Sequence, residues 1–461
     1  MVDEFDPKST RQFVIDAPIF DLGSDTIRLR FHLDDVCDFE ELVEIPGLAK
    51  ACKDDASHEV IVQLADFLAI AASVSYYKAA CPPVVYGPPE GLAQGSAELL
   101  RELIHRGLGE FAFVNQVDLR SVPEIHFDEV APIVRKKQFK LSSKVLVAIG
   151  GGKDSLVTLE ALRATKHDVV LFAVNGGEPV ARLLDAIKLS TAKVSRTLDP
   201  RLLGLNERGA LNGHIPVTAI NSFISAITAV VNDCGAIVFS NERSASYGNV
   251  EWLGEVVNHQ WSKSLEAERL FQRLISSCTN NAIEYFSLLR PFSELDIMRA
   301  FATLTQWHEL FTSCNHAFRL DPERRVQRWC GECPKCRFVF LTLGAFITRE
   351  ELLAIFDQDL LADSTQFAGF LDLVGFGEMK PFECVGEPYE CIVALDILTK
   401  RADWMSETMP GVLGASLGTA FPPSPEVSAQ AFMVSDEHHV PQRFQTALAH
   451  IVSLMPAAPD A

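Results

Sequence analysis

Three consecutive glycines, Gly150, Gly151 and Gly152, separate a β-branched run from a segment with helical spacing, and this junction constrains the fold most. Residues 145–149 (Val-Leu-Val-Ala-Ile) read as a buried strand, and Leu156, Leu159 and Leu162 then recur at helical intervals. Glycine has no Cβ, so it accepts positive φ and lets consecutive amides point into one concavity. A helix starting near Asp154 adds its unsatisfied amides and its positive end. The junction reads as an anion cradle. Downstream, strands are expected at 169–174 and 236–240, and helices at 179–189 and 216–231. Alternating strand and helix imply right-handed crossovers and a parallel sheet covered on both faces, hence an α/β fold.

Two familiar phosphate loops fail here. The Walker pattern needs Lys followed directly by Ser or Thr, but Asp154 separates Lys153 from Ser155, and Val147 occupies the earlier glycine position. The dinucleotide fingerprint needs a third glycine where Ser155 stands. The run instead resembles the Ser-Gly-Gly-x-Asp-Ser loop of the ATP-pyrophosphatase (PP-loop) superfamily at every position but the first, where Gly150 replaces Ser. That resemblance implies a sheet of the adenine-nucleotide alpha-hydrolase type. It also implies that Gly150, Gly151, Gly152, Lys153, Asp154 and Ser155 hold the pyrophosphate part of ATP, with Asp154 associated with Mg²⁺. A carboxylate beside polyphosphate needs such a bridging cation. The end of the second strand, Val174 and Asn175, is implied to lie near the adenine. A plain strand-to-helix turn, with Asp154 or Ser155 only capping, stays open at this point.

Cys330, Cys333 and Cys336 stand at two-residue gaps, with Cys314 upstream. Four thiolates suit a closed tetrahedral Zn²⁺ site, and Gly331 and Pro334 help the chain turn. The arrangement is similar to the structural zinc site of 7-cyano-7-deazaguanine synthases, which share the PP-loop. An iron–sulfur cluster and unliganded thiols are the open alternatives.

Composition narrows the partners. The 461-residue chain carries a formal net charge of −20, which counts against nucleic acid, whose phosphates call for a basic face. The first residues are acidic and lack an apolar signal region. The most apolar stretches, 64–77 and 338–347, fall short of the roughly 20 residues of a spanning helix, so both are expected as core helices and no membrane partner is expected. Eleven cysteines without an export signal favour reduced thiols. The reading is a cytoplasmic enzyme.

Three regions are expected: an N-terminal α+β domain (1–140), the PP-loop domain with the cysteine cluster (141–345) and a partly helical C-terminal region (346–461). In the first, strands are expected at 12–16, 26–33 and 39–45, and a helix at 60–78. Ser293-Glu294-Leu295-Asp296 has the form of a helix cap.

Across all three regions, runs resemble the MurL family of ATP-dependent UDP-N-acetylmuramoyl-L-alanyl-L-glutamate epimerases. They include Ser75-Tyr76-Tyr77-Lys78, the glycine loop, Asn258-His259-Gln260 through Lys263, Leu289-Arg290-Pro291, Arg328-Trp329-Cys330 onward, and Lys380-Pro381-Phe382-Glu383-Cys384. The resemblance implies inversion of the terminal L-Glu of UDP-MurNAc-L-Ala-L-Glu through an acyl-adenylate, releasing AMP and pyrophosphate. Asp154, Cys384, His259 and Lys263 are the candidate catalytic groups; Tyr76 is a further proton-transfer candidate. Tyr76, Lys78, Arg243 and Lys263 are candidates for holding the UDP-linked muramoyl dipeptide. Two rivals are a PP-loop enzyme that adenylates a nucleobase or tRNA carbonyl for amination or thiolation, and a non-catalytic nucleotide sensor. The oligomeric state is left open.

Overall fold

The computed structural model describes residues 5–121, 123–131, 139–319, 321–377, 380–405 and 408–457. Its centre is an eleven-stranded mixed sheet. The strands are β1 (Gln12–Ile15), β2 (Ile19–Asp21), β3 (Thr26–Leu33), β4 (Cys37–Glu44), β5 (Val84–Tyr86), β6 (Glu124–His126), β7 (Ser142–Ala148), β8 (Val169–Val174), β9 (Thr191–Thr197), β10 (Cys234–Phe239) and β11 (Glu284–Ser287). Their order is β11-β10-β7-β8-β9-β4-β3-β1-β5-β6, with β2 against β3. From β11 to β9 all pairings are parallel, whereas β9–β4, β4–β3 and β3–β1 are antiparallel. The sheet therefore runs through the expected boundary near residue 140 without a break.

Both faces are covered, as the unbroken apolar strands require. Val145 and Val147 of β7 face one core, while Leu146 between them faces the other. On the first face lie helices α2 (Lys153–Ala164), α6 (Glu294–Phe301) and α9 (Gln445–Leu454). On the second lie α1 (Asp55–Tyr77), α4 (Val217–Val231) and α5 (Leu265–Thr279). Two further helices, α7 (Pro334–Gly344) and α8 (Pro388–Thr399), join the first core. Helix α3 (Gly177–Ile187) follows β8. Each fully buried Leu, Val or Phe contributes about 1.5–3 kcal/mol, so these two cores dominate the stability.

Helix α1 begins earlier than its apolar pattern predicts and reaches 23 residues, long and apolar enough to cross a membrane by length and composition. Yet 83% of its most apolar window is buried within the fold, so it is a core helix. Strand β9 was not legible: only Val194 of its seven residues is buried, which leaves little hydrophobic pattern.

In the parallel half, chain order and spatial order part between β7 and β10, the first and fourth strands of the set. In open α/β sheets ligands bind outside the carboxyl ends at such a point. The loop Gly150–Gly152 leaves β7 there, and Ser240–Arg243 leaves β10.

Candidate active site

Gly151 has φ +92°, and a Cβ there would lie 3.3 Å from both Phe318 and Val180, so this turn requires glycine. Its carbonyl accepts from the Thr312 amide at 3.0 Å, which fixes the loop against the segment leading to Cys314. Gly150 faces open space. Helix α2 starts at Lys153, with Gly152 at its N-cap and no side-chain capping bond. Its first amides are thus left for another acceptor.

Lys153 is buried and pairs with both Asp154 and Glu294. Burial would depress its pKa, but the two carboxylates outweigh that and keep it protonated. Glu294 opens α6, where Ser293 Oγ accepts from the Asp296 amide at 3.0 Å. Burial raises the Glu294 carboxyl well above its ordinary value, against the pull of Lys153. Burial likewise raises Glu242, just after β10, although Lys263 and Lys153 oppose the shift. Asp154, Glu242 and Glu294 lie within electrostatic reach of one another beside the loop, with the Lys153 ammonium held between Asp154 and Glu294.

From Lys263 the charged groups continue in one chain. Its Nζ donates to Cys384 Sγ at 3.1 Å. His259 Nε2 also lies 4.0 Å from the sulfur, and His259 Nδ1 bonds to Glu110. His214 lies 3.7 Å from the same Glu110 carboxylate, with its ring 4.3 Å from that of His259. Burial alone would raise the Cys384 thiol, but Lys263, Lys335 and His259 hold it well below its ordinary value. Burial would lower His259, yet Cys384 and Glu110 carry it up to about 9. His214, by contrast, is pushed down to about 3 by burial and the neighbouring cations. Cys384 and His259 thus form a thiolate–imidazolium pair, the activated state of a thiol base or nucleophile.

The structure brings Asp154, Lys263, Cys384 and His259 into one continuous strip, with Lys78 at its far end. Lys78 Nζ donates to Asn212 Oδ1 at 2.5 Å and to the Gly213 carbonyl at 3.1 Å, beside His214, and burial lowers it to about 8. Tyr76 stands apart: its hydroxyl donates to Glu41 at 3.0 Å and accepts from the Asp199 amide at 3.2 Å, inside the second core. Arg243 donates to the carbonyls of Met433 and Gln430, tying the C-terminal segment to the end of β10. Val174 and Asn175 end β8, and the Asn175 side chain bridges to the backbone of Arg196 on β9.

Glu110, His214, Glu242, Glu294 and Lys335 complete the strip and were not singled out as site residues in the sequence. Glu294 stood within a recognisable helix cap and Lys335 within the cysteine cluster; the other three occur in unremarked segments that only the fold brings together.

The sulfurs of Cys314, Cys330, Cys333 and Cys336 lie within 4.8 Å of one another. Separations of 3.5 Å (Cys333–Cys336), 3.7 Å (Cys330–Cys336) and 4.0 Å (Cys333–Cys314) are close to the edge of a tetrahedron with metal–sulfur bonds of about 2.3 Å. The donor set fits a tetrahedral metal. It lies between the Thr312 contact with the glycine loop and the start of α7, so it can brace that loop from behind.

A family model described as the MurL N-terminal domain matches residues 4–288, and one described as the MurL C-terminal domain matches residues 310–421. A UDP-N-acetyl-alpha-D-muramoyl-L-alanyl-L-glutamate epimerase from Micromonospora sp. is 42% identical over 414 residues, covering 89% of this chain and 91% of that protein. One of the same name from Salinispora tropica is 42% identical over 368 residues, 79% of each chain. Another, from Xanthomonas oryzae pv. oryzae, is 38% identical over 435 residues, 94% of this chain and 95% of that protein.

Proposed function

The chain belongs to the MurL family, and from that premise we propose that it inverts the terminal L-Glu of UDP-MurNAc-L-Ala-L-Glu to D-Glu at the expense of ATP. On this reading it is a cytoplasmic enzyme of peptidoglycan precursor synthesis, with a PP-loop nucleotide site, Mg²⁺ at Asp154 and a structural Zn²⁺ on the four cysteines. The observation that supports it best is the strip of charged groups from the glycine loop to Cys384.

The chemistry explains why a nucleotide and a thiolate share one site. The Cα proton beside an ionised carboxylate is hard to remove, because two negative charges would adjoin. A glutamate carboxylate oxygen therefore attacks the α-phosphorus of ATP; the bond to the β-phosphate breaks and pyrophosphate leaves. The resulting mixed anhydride is uncharged at the acyl carbon and can spread the Cα electron pair onto its carbonyl oxygen. The Cys384 thiolate takes the Cα proton, the electron pair moves to that oxygen, and a proton returns from the opposite face. Water then cleaves the acyl–phosphate bond and AMP leaves. The loop amides bind phosphate, and Lys263 and the His259 imidazolium together hold the thiolate charge until Cys384 takes the Cα proton.

Cys384, Lys263 and His259 supply one face only. A carbon flanked by two proton-transfer atoms needs them roughly 6–7 Å apart. Separations of 3.1 and 4.0 Å leave no room for it between these groups.

Incubation with ATP and UDP-MurNAc-L-Ala-L-Glu in D₂O tests the reading. The expected products are deuterated, inverted glutamate and AMP in comparable amounts. Glutamate that keeps its proton and configuration, or ADP in place of AMP, would overturn it.

A further inference from the structure

A cleft of about 550 Å³ opens beside the proton-transfer cluster. One wall is the segment around helix Gly109–Asn115, the other the hairpin of Val250–Trp252 and Glu255–Val257. Gly109 and Asn258 line it, and the next residues in the chain are Glu110 and His259. This sets the cleft next to the Cys384 end of the strip.

Its lining combines basic and aromatic side chains with three carboxylates, Glu255, Glu266 and Glu437. His105, Arg106 and Arg120 stand on the first wall and the indole of Trp252 on the second. The Trp252 ring meets Phe113 edge-on at 6.1 Å, and Phe113 lies 5.5 Å from Phe382, two residues before Cys384. Asn249 also donates to the Pro381 carbonyl at 3.0 Å, so hairpin and Cys384 loop are one unit.

Each of the three basic side chains is engaged by a carboxylate. Arg106 meets Glu266 at 3.0 Å, Arg120 meets Asp118 at 2.7 Å and His105 meets Glu255 at 2.7 Å. All three pairs are partly exposed to water, where an ion pair contributes little. Arg120 is the most firmly held, gripping Asp118 at 2.9 and 2.7 Å and donating to the Leu253 carbonyl at 2.8 Å. A diphosphate would take the place of the carboxylates. Glu255 and Glu266 also line the cleft and, once released, can accept from ribose hydroxyls.

We propose that this cleft binds the uridine diphosphate end of the substrate, the base stacking on Trp252 and the diphosphate on Arg106, Arg120 and His105. The inference rests on the reading above for its ligand, and places the muramoyl dipeptide along the path from the cleft to Cys384. A volume of this size is in the range that small-molecule sites occupy.

The test compares two substrates and two variants. Wild type, Arg106→Ala/Arg120→Ala and Trp252→Leu are each assayed for deuterium incorporation with the UDP-linked substrate and with the muramoyl dipeptide lacking UDP. Each variant should raise KM for the first by about tenfold or more and leave that for the second unchanged. Calorimetric titration with UDP alone should show a parallel loss of affinity, while ATP-analogue binding stays intact as a check on folding. Equal effects on both substrates, or unchanged UDP affinity, would overturn the assignment. If wild type inverts neither substrate, the epimerase reading falls, and the cleft is judged on UDP titration: loss in both variants supports it, no loss rejects it.

Discussion

The ammonium of Lys263 lies 3.1 Å from the sulfur of Cys384. The pair joins the loop after the hairpin to the segment before α8, parts of the chain that are remote in sequence, and lies within electrostatic reach of Asp154 and Glu242. A buried cation beside a thiol stabilises the anionic form, and in turn the thiolate keeps the lysine charged. On the proposed mechanism, this coupling is what would equip Cys384 to take the Cα proton.

Cys384→Ser should therefore abolish proton exchange without abolishing adenylation. General-base loss costs typically 10²–10⁴-fold, so deuterium incorporation should fall by at least about 100-fold. Pyrophosphate release should persist, because the loop residues are untouched. Parallel loss of both would mean that Cys384 supports the site only structurally.

Asp154→Asn separates the other half. Removing the carboxylate removes the group expected to bridge Mg²⁺ and ATP, and AMP formation should drop by about 100-fold or more. Lys153 keeps Glu294 as a partner, so thermal unfolding should change little. Wild-type rates of pyrophosphate release would reject the role.

Gly151→Ala reports on the cradle itself. An L-residue in the left-handed region costs roughly 1–2 kcal/mol, and here the new methyl would also press on Phe318 and Val180. The expected result is a lower denaturation midpoint together with weaker ATP binding. An unaltered midpoint would mean that the turn tolerates a side chain.

Much of this was legible before any coordinates. The glycine junction, Val169–Val174 and the helix Val217–Val231 announce themselves through periodicity and turn chemistry, and these place the loop at the sheet's switch point. Cys384, His259 and Lys263 could be singled out one by one. Their convergence could not, because it depends on the hairpin between β10 and α5 and on the segment before α8, neither of which has a periodic pattern. Glu110 and His214 carried no local signal at all. Tyr76 shows the opposite case: a polar group in a family-like run proves to satisfy the buried Glu41–Arg196 pair.

The four-cysteine cluster should retain one tightly held metal ion per chain, with zinc expected from the all-thiolate tetrahedral donor set. Replacing Cys333 by Ser should deplete the metal and, because binding energy to such sites is folding energy, lower Tm by at least about 5 °C. Elemental analysis alongside calorimetry checks both. Metal-free wild type with an unchanged Tm would reject a structural metal.

The pH dependence of exchange should reveal Glu110. His259 is raised to about 9, with Cys384 and Glu110 both favouring its charged form against burial. The imidazolium is then present below that value and lost as pH rises through it. Proton exchange should hold to about pH 9 and decline above, and any stability that the charged ring contributes should follow the same course, being complete below the ordinary histidine range. Glu110→Gln removes the carboxylate bonded to Nδ1, so the alkaline limb should move to lower pH while kcat at neutral pH falls less. A profile that keeps its alkaline limb in the variant would show that Glu110 only packs against the ring, and the charged cluster would then end at His259.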